Sequence, residues 1–109
     1  MDHAIKVADN PGAARYEITV DGRLAGFAAY RALPGRLVFT HTEVDQEFEG
    51  HGFGSTLVRG ALDSAREAGV TVVPRCPFVA SYIKRHPEYG DLLAAHDPET
   101  EHAGSPDAT

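Results

Sequence analysis

The sequence contains one cysteine, Cys76, so no disulfide can form within the chain. A reducing compartment is the simplest setting for it, and the expectation is a soluble, cytoplasmic protein. Long apolar runs are missing as well. The opening Met1-Asp2-His3-Ala4-Ile5-Lys6 has no apolar core of signal-peptide length, and no later run approaches membrane-spanning length. The third absence is clustered positive charge. The 10 Lys and Arg are scattered against 16 Asp and Glu, for a formal net charge of −6. A nucleic-acid backbone asks for grouped cations, so neither nucleic acid nor membrane is expected as a partner. His3, His96 and His102 have no His or Cys at ligand spacing, so no metal is expected. Internal repeats are also lacking.

What remains describes one ordinary globular unit. A length of 109 residues supports one core, and 42% hydrophobic with 24% charged residues is a usual composition. The acidic balance suits a cationic substrate such as an amine.

Asp9-Asn10-Pro11-Gly12 is a turn signal after a lead-in containing Ile5 and Val7. Arg15 to Val20 alternates, with Tyr16, Ile18 and Val20 on one face of a strand. Asp21-Gly22 is the favoured two-residue hairpin turn, and Arg23 to Arg31 is its partner strand. The alternation breaks near Gly26, which predicts a bulge. Pro34-Gly35 turns the chain again into a third strand, Arg36 to Asp45. Strict alternation there puts Leu37, Phe39, His41 and Glu43 on one face. Further on, Leu57, Val58, Ala61, Leu62, Ala65 and Ala68 form one helical stripe closed by Gly69. Val70 to Val73 predicts a buried strand parallel to the third, completing a β-α-β unit. Phe78 to His86 predicts a second helix between Pro77 and Pro87, and Glu88 to Ala95 a short helical turn. The expected class is α+β, an antiparallel meander followed by a β-α-β unit in the order β-β-β-α-β-α, with two helices covering the sheet. Residues 1–95 form the domain, and 96–109, polar, acidic and free of aromatics, are expected to be disordered.

The stretch from Glu49 to Leu57 organises the rest. Gly50, Gly52 and Gly54 alternate between a strand and a helix start, a common device for holding phosphate on backbone N–H groups and the helix dipole. No lysine follows Gly54, which excludes the P-loop of nucleotide hydrolases. The dinucleotide fingerprint fails too, because Leu57 occupies the place of its third glycine and the opening meander is antiparallel.

The same stretch resembles the acetyl-CoA-binding motif of the GNAT superfamily of N-acetyltransferases, Gln/Arg-x-x-Gly-x-Gly/Ala with a leucine three residues on. Gly52, Gly54 and Leu57 match, and Glu49 stands where Gln or Arg is usual. Beyond the motif, His41-Thr42-Glu43-Val44, Gly69, Pro74-x-Cys76, Tyr82 and His86-Pro87-Glu88-Tyr89 look like a minimal, single-domain GNAT-like family. The resemblance covers roughly residues 5 to 93 and implies a splayed sheet with pantetheine in the V between the strands flanking the first helix. It further implies that the backbone of Glu43, Val44 and Asp45 pairs with the pantetheine amides. Gly50, His51, Gly52, Phe53, Gly54 and Ser55 would hold the pyrophosphate of acetyl-CoA or coenzyme A.

Four residues are candidates for chemistry. Glu43 and His41, two apart on a strand, share a face near the expected thioester and suit a general base. The bland alternative is a solvated strand-end carboxylate and a packed histidine. Cys76, at a helix start, is a candidate nucleophile, a neighbour of the CoA thiol, or a small core hydrophobe. Tyr82 stands one residue off the spacing at which many superfamily members carry a tyrosine that protonates the leaving thiolate; core packing is its alternative. His51 is a phosphate contact or an exposed loop side chain. The expected function is acetyl transfer from acetyl-CoA to a primary amine on a protein lysine, a polyamine or a small molecule. The rivals are a CoA-binding module without turnover and a small cysteine-dependent thioester hydrolase. Both monomer and homodimer remain open, since an edge of the meander can pair with a second copy.

Overall fold

The structure is a computed structural model that describes residues 4–93. The expected segment 96–109 and the domain limit at residue 95 lie outside the described residues. Five strands form one sheet in sequence order: β1 (Ile5–Asn10), β2 (Arg15–Val20), β3 (Arg23–Leu33), β4 (Arg36–Val44) and β5 (Thr71–Pro74). The first four pair antiparallel and β5 runs parallel to β4. Helix α1 (Phe53–Ala68) connects β4 to β5, and α2 (Pro77–Arg85) follows β5. The fold is therefore α+β, a mixed sheet with two helices. No helix among the described residues is long and apolar enough to cross a membrane.

One strand is added to the expected order. The Asn10-Pro11 turn signal is real, since Pro11–Ala13 forms a 3-10 turn ended by Ala14 in the left-handed region, but it terminates a strand. β1 is an edge strand whose side chains are mostly exposed, so it lacks the apolar alternation that marks β2. Its anchor is Val7, which α1 reaches because residue 60 is glycine: a Cβ there would lie 2.8 Å from Val7 Cγ1.

Two bulges shape the sheet. Ile18 pairs with Gly26 and Thr19 with Leu24, leaving Ala25 without an opposite residue, where the alternation broke in the sequence. In β4, Ala29 pairs with His41 and Tyr30 with Phe39, so Thr40 is the extra residue. This second bulge corrects the expected face assignment. Directly opposed residues share a face, and Glu43 is opposite Phe27, which is opposite Glu17, while Thr42 is opposite Ala28 and through it the buried Tyr16. His41 and Glu43 therefore share a face with each other, as expected, but it is the face away from Phe39.

The core is one cluster on the Phe39 side. It joins Ile18 and Phe39 of the sheet to Leu57, Leu62 and Ala65 of α1 and to Val79 and Ile83 of α2. The α1 stripe matches the periodicity except Ala68, which is exposed in the last turn before the Gly69 cap. Beyond α2, Pro87–Leu92 is a 3-10 turn tied to α1, with Tyr89 Oη donating to Asp63 (2.7 Å) and Arg66 clasping Asp91 through both terminal nitrogens (2.7 and 3.0 Å).

Burial raises the pKa of all four tyrosines, Tyr16, Tyr30, Tyr82 and Tyr89, the last to about 12, with the Asp63 carboxylate adding to the effect there. Unfolded tyrosine ionises near pH ~10. The unfolded chain therefore binds fewer protons above that point, and the stability is fully present below it and lost as pH rises through the folded values. Urea unfolding should show a steep fall between about pH 10 and 12. Tyr89→Phe should shallow that fall, while costing about 1 kcal/mol at neutral pH through the lost hydrogen bond.

Candidate active site

β4 runs into a 3-10 turn, Gln46–Phe48, capped by Asp45, whose side chain accepts from Glu47 N–H at 2.9 Å. The chain then reverses through Gly50 and Gly52, at φ +87° and +75°, values an L side chain rarely adopts. Gly52 is the N-cap of α1; no side chain caps it, and no acidic residue occupies the first turn. The N–H groups of Phe53, Gly54 and Ser55 thus start the helix without a capping side chain, at the positive end of the dipole. Gly54 is glycine for a different reason: a Cβ there would lie 2.9 Å from Phe78 Cζ at the start of α2.

These residues open onto a cavity of about 380 Å³. Gly50, Gly52, Phe53, Gly54 and Ser55 form one end of its wall, Phe48, Phe78 and Glu49 the sides, and Val44 and Thr42 the β4 side. Phe78 is 39% exposed there, so it serves the cavity as well as the α2 packing face to which its periodicity assigns it.

The β4 side is an open edge. The β4–β5 register stops at Phe39 opposite Pro74, and the last link between the two chains is Cys76 N–H donating to Phe39 O at 2.9 Å. Arg75, whose N–H is next in line to face β4, donates to Val73 O at 3.1 Å instead. On the other side of β4, Asp45 N–H donates to Ala25 O at 2.7 Å. Backbone groups two apart point the same way, so Glu43 also faces β3, while the N–H and C=O of Thr42 and Val44 face the notch. Of the expected backbone set, Val44 faces the notch while Glu43 and Asp45 face β3, and Thr42 joins Val44 at the notch, because the Thr40 bulge shifts the parity by one.

The candidate side chains separate into two groups. His41 Nε2 and Glu43 Oε2 lie 2.8 Å apart on the outer face, 58% and 61% exposed, with the His41 ring 6.1 Å from that of Phe27 and Arg15 stacked over Phe27. Glu43 and Asp45 border a smaller outer-face cavity of about 110 Å³ with Leu24 and Phe27. Cys76 is on the core side, 3% exposed and absent from the cavity wall, with its Sγ 3.3 Å from Thr42 Oγ1. The sheet lies between Cys76 and the His41–Glu43 pair, so the three are not a cluster. Tyr82 is buried, stacked on His86 at 4.1 Å, and burial raises its hydroxyl pKa; it lines no part of the cavity. His51 stacks on Phe53 at 5.5 Å beside a separate cavity of about 170 Å³, and Asp45 is occupied by its own cap. Thr42, Phe48 and Phe78 were missed as wall residues, because only the bulge and the approach of α2 bring them there.

The model of the family described as GCN5-related N-acetyl-transferase matches residues 15–92. The chain belongs to this family. Use of acetyl-CoA is implied by membership, and uncapped N–H groups, an open strand edge and an aromatic wall are a fitting lining for a pyrophosphate with an amide-bearing arm. Three solved structures share the acetyltransferase fold. A GCN5-like putative N-acetyltransferase from Staphylococcus aureus has 19% identity and a TM-score of 0.62, over 89% of this chain and 95% of that one. The ribosomal-protein-S18-alanine N-acetyltransferase of Escherichia coli has 17% identity and a TM-score of 0.56, over 82% and 77%. A ribosomal-protein-alanine N-acetyltransferase of Brucella melitensis biovar Abortus 2308 has 25% identity and a TM-score of 0.50, over 76% and 62%. Among curated proteins, none matches the sequence.

The two kinds of glycine predict different losses. Gly52→Ala meets no atom within 4 Å but forces alanine to a positive φ, so thermal or urea unfolding should show a loss of about 1 kcal/mol. Gly54→Ala keeps the helix and displaces Phe78 into the cavity, so its stability should change little while CoA affinity in calorimetry falls at least several-fold.

Proposed function

We propose that the protein transfers an acetyl group from acetyl-CoA to a primary amine at the notch between β4 and β5. The observation that carries this reading is that one cavity wall combines the uncapped start of α1 with the open edge of β4. The backbone of Gly50 to Ser55 holds the pyrophosphate, and the notch-facing groups of Thr42 and Val44 pair with the amides of the pantetheine arm as an added strand would. Bound acetyl-CoA supplies the activated thioester.

The cosubstrate takes the helix side of the sheet, so the acceptor amine approaches from the outer side. His41 and Glu43 stand there on the strand whose edge forms the notch. Glu43 orients the imidazole, and His41 takes up the proton that the ammonium must lose before its nitrogen can attack. Phe27 and Leu24 supply apolar surface for the stem of the amine beside the Glu43 and Asp45 carboxylates. Tyr82 is a packing residue in this reading. A cysteine nucleophile is disfavoured by the position of Cys76 behind Thr42. The small outer-face cavity favours, as a second reading, a CoA-binding module without turnover. Protein lysine, polyamine and small amine are the acceptor classes to be compared.

Calorimetry with CoA and acetyl-CoA tests the first half of the reading; absence of heat at millimolar ligand overturns it. For the second half, thiol release from acetyl-CoA in the presence of a lysine peptide, spermidine or a monoamine should fall about 100-fold in Glu43→Gln, with acetyl-CoA affinity unchanged. Binding without release in any of these amines decides for the module.

A further inference from the structure

One cavity residue has no task in the reading above beyond its backbone: Thr42. Its hydroxyl differs from those of three other threonines. Thr40, Thr56 and Thr71 each donate to a backbone carbonyl, of Ala29, Gly52 and Gly35. Thr42 Oγ1 instead lies 3.3 Å from Cys76 Sγ, where either atom can be the donor. A hydroxyl carries one donor and two acceptor sites, and a thiol is a weak donor. If Cys76 S–H donates to Thr42 Oγ1, the Thr42 proton is left free for a partner in the cavity whose wall Thr42 forms.

The position of Thr42 says what that partner is. The anion end of the cavity is at Gly50 to Ser55, and the amide-pairing edge runs from Val44 to Thr42. Thr42 is the last cavity residue before the notch closes at the Cys76 N–H to Phe39 O link. Apart from Glu49, the side chains that line the cavity outside the glycine turn and Thr42 are apolar: Val44, Phe48 and Phe78. We propose that Thr42 Oγ1–H is the hydrogen-bond donor to the sulfur of bound CoA or its thioester. This rests on the acetyl-transfer reading. Cys76, screened from the cavity by Thr42, acts through it and is a positioning residue.

The consequence for the reaction is local. As the C–N bond forms and the C–S bond breaks, the electron pair of the latter goes to sulfur, and the amine proton leaves on the His41–Glu43 side. Thr42 then faces a growing negative charge, and its hydrogen bond strengthens as the charge develops. Solvent protonates the thiolate on release, and the Cys76 thiol is unchanged throughout.

The test compares CoA with desulfo-CoA, which lacks the sulfur, by calorimetry on the full chain. The intact protein should prefer CoA about 3- to 10-fold, the range of one net hydrogen bond. Thr42→Val, nearly the same shape, should bind both ligands equally. Thr42→Ser should restore the preference, and Cys76→Ala should retain only part of it while Cys76→Ser retains it all. A wild-type protein that does not distinguish the two ligands overturns the inference and leaves acetyl transfer standing, as does a Thr42→Val protein that still distinguishes them. Failure of both ligands to bind overturns the acetyl-transfer reading, and this inference with it. Should Thr42→Val not fold, Thr42→Ala gives the same comparison.

Discussion

The site depends on the impossibility of keeping β4 and β5 paired. β4 continues five residues past Phe39, the last position with a β5 partner, whereas β5 stops at Pro74 and the next N–H, of Arg75, turns back to Val73 O at 3.1 Å. Cys76 makes one more backbone link and then enters α2, taking the chain away from β4. The backbone of Thr42 and Val44 is thereby left on a sheet edge inside the molecule. Such an edge is costly unless something pairs with it. In this fold the edge faces a cavity rather than bulk solvent alone, and in the proposed function an extended ligand completes it.

The Thr40 bulge decides what that edge presents. Without the extra residue, Glu43 would turn its backbone to the notch and its side chain toward the helices, beside Phe78 and the glycine turn. With it, Thr42 and Val44 face the cavity, and His41 and Glu43 are delivered to the other surface of the same strand. One inserted residue thus puts the cavity-lining groups and the His41–Glu43 pair on opposite sides of a single layer of backbone. The buried aromatic group of Tyr16, Tyr30 and Phe39 beneath the bulge holds it in place.

Much of this was legible in the residues. The alternation of Tyr16, Ile18 and Val20, the Asp21-Gly22 hairpin, the α1 stripe and the glycine turn are local signals, and the strands, helix and cavity wall follow from them. The bulge near Gly26 was legible because glycine and a broken alternation mark it. The bulge at Thr40 was not. Leu37 to Val44 passes from apolar to polar with no glycine to mark a bulge, and the extra residue is set by the register with β3 and by Tyr30 against Phe39, which are contacts across the sheet. β1 was hidden for a similar reason. Its burial rests on one side chain, Val7, and on the glycine in α1 that makes room for it fifty residues later in the chain. The family resemblance supplied the ligand; the face on which each candidate side chain stands needed the pairing.

The side-chain hydrogen bonds that tie helix α1 to the closing turn and to Tyr16 lie at the end away from the cavity. Asp63 and Arg66 bind Tyr89, Glu88 and Asp91 in the closing turn, and Ser64 receives the Tyr16 hydroxyl at 3.0 Å. Its first turn has no side-chain cap and is held by packing, with Phe53 and Gly54 buried and Gly54 against Phe78 and Val44. A helix of 16 residues is about 24 Å long, so one degree of tilt at the anchored end displaces the other by roughly 0.4 Å. The clamp at Tyr89 and the buried stripe of the helix thus share in setting the aim of N–H groups several turns away. Changes at the far end of the molecule, in residues outside the cavity wall, would then register as changes in how the first N–H groups of α1 are aimed into the cavity.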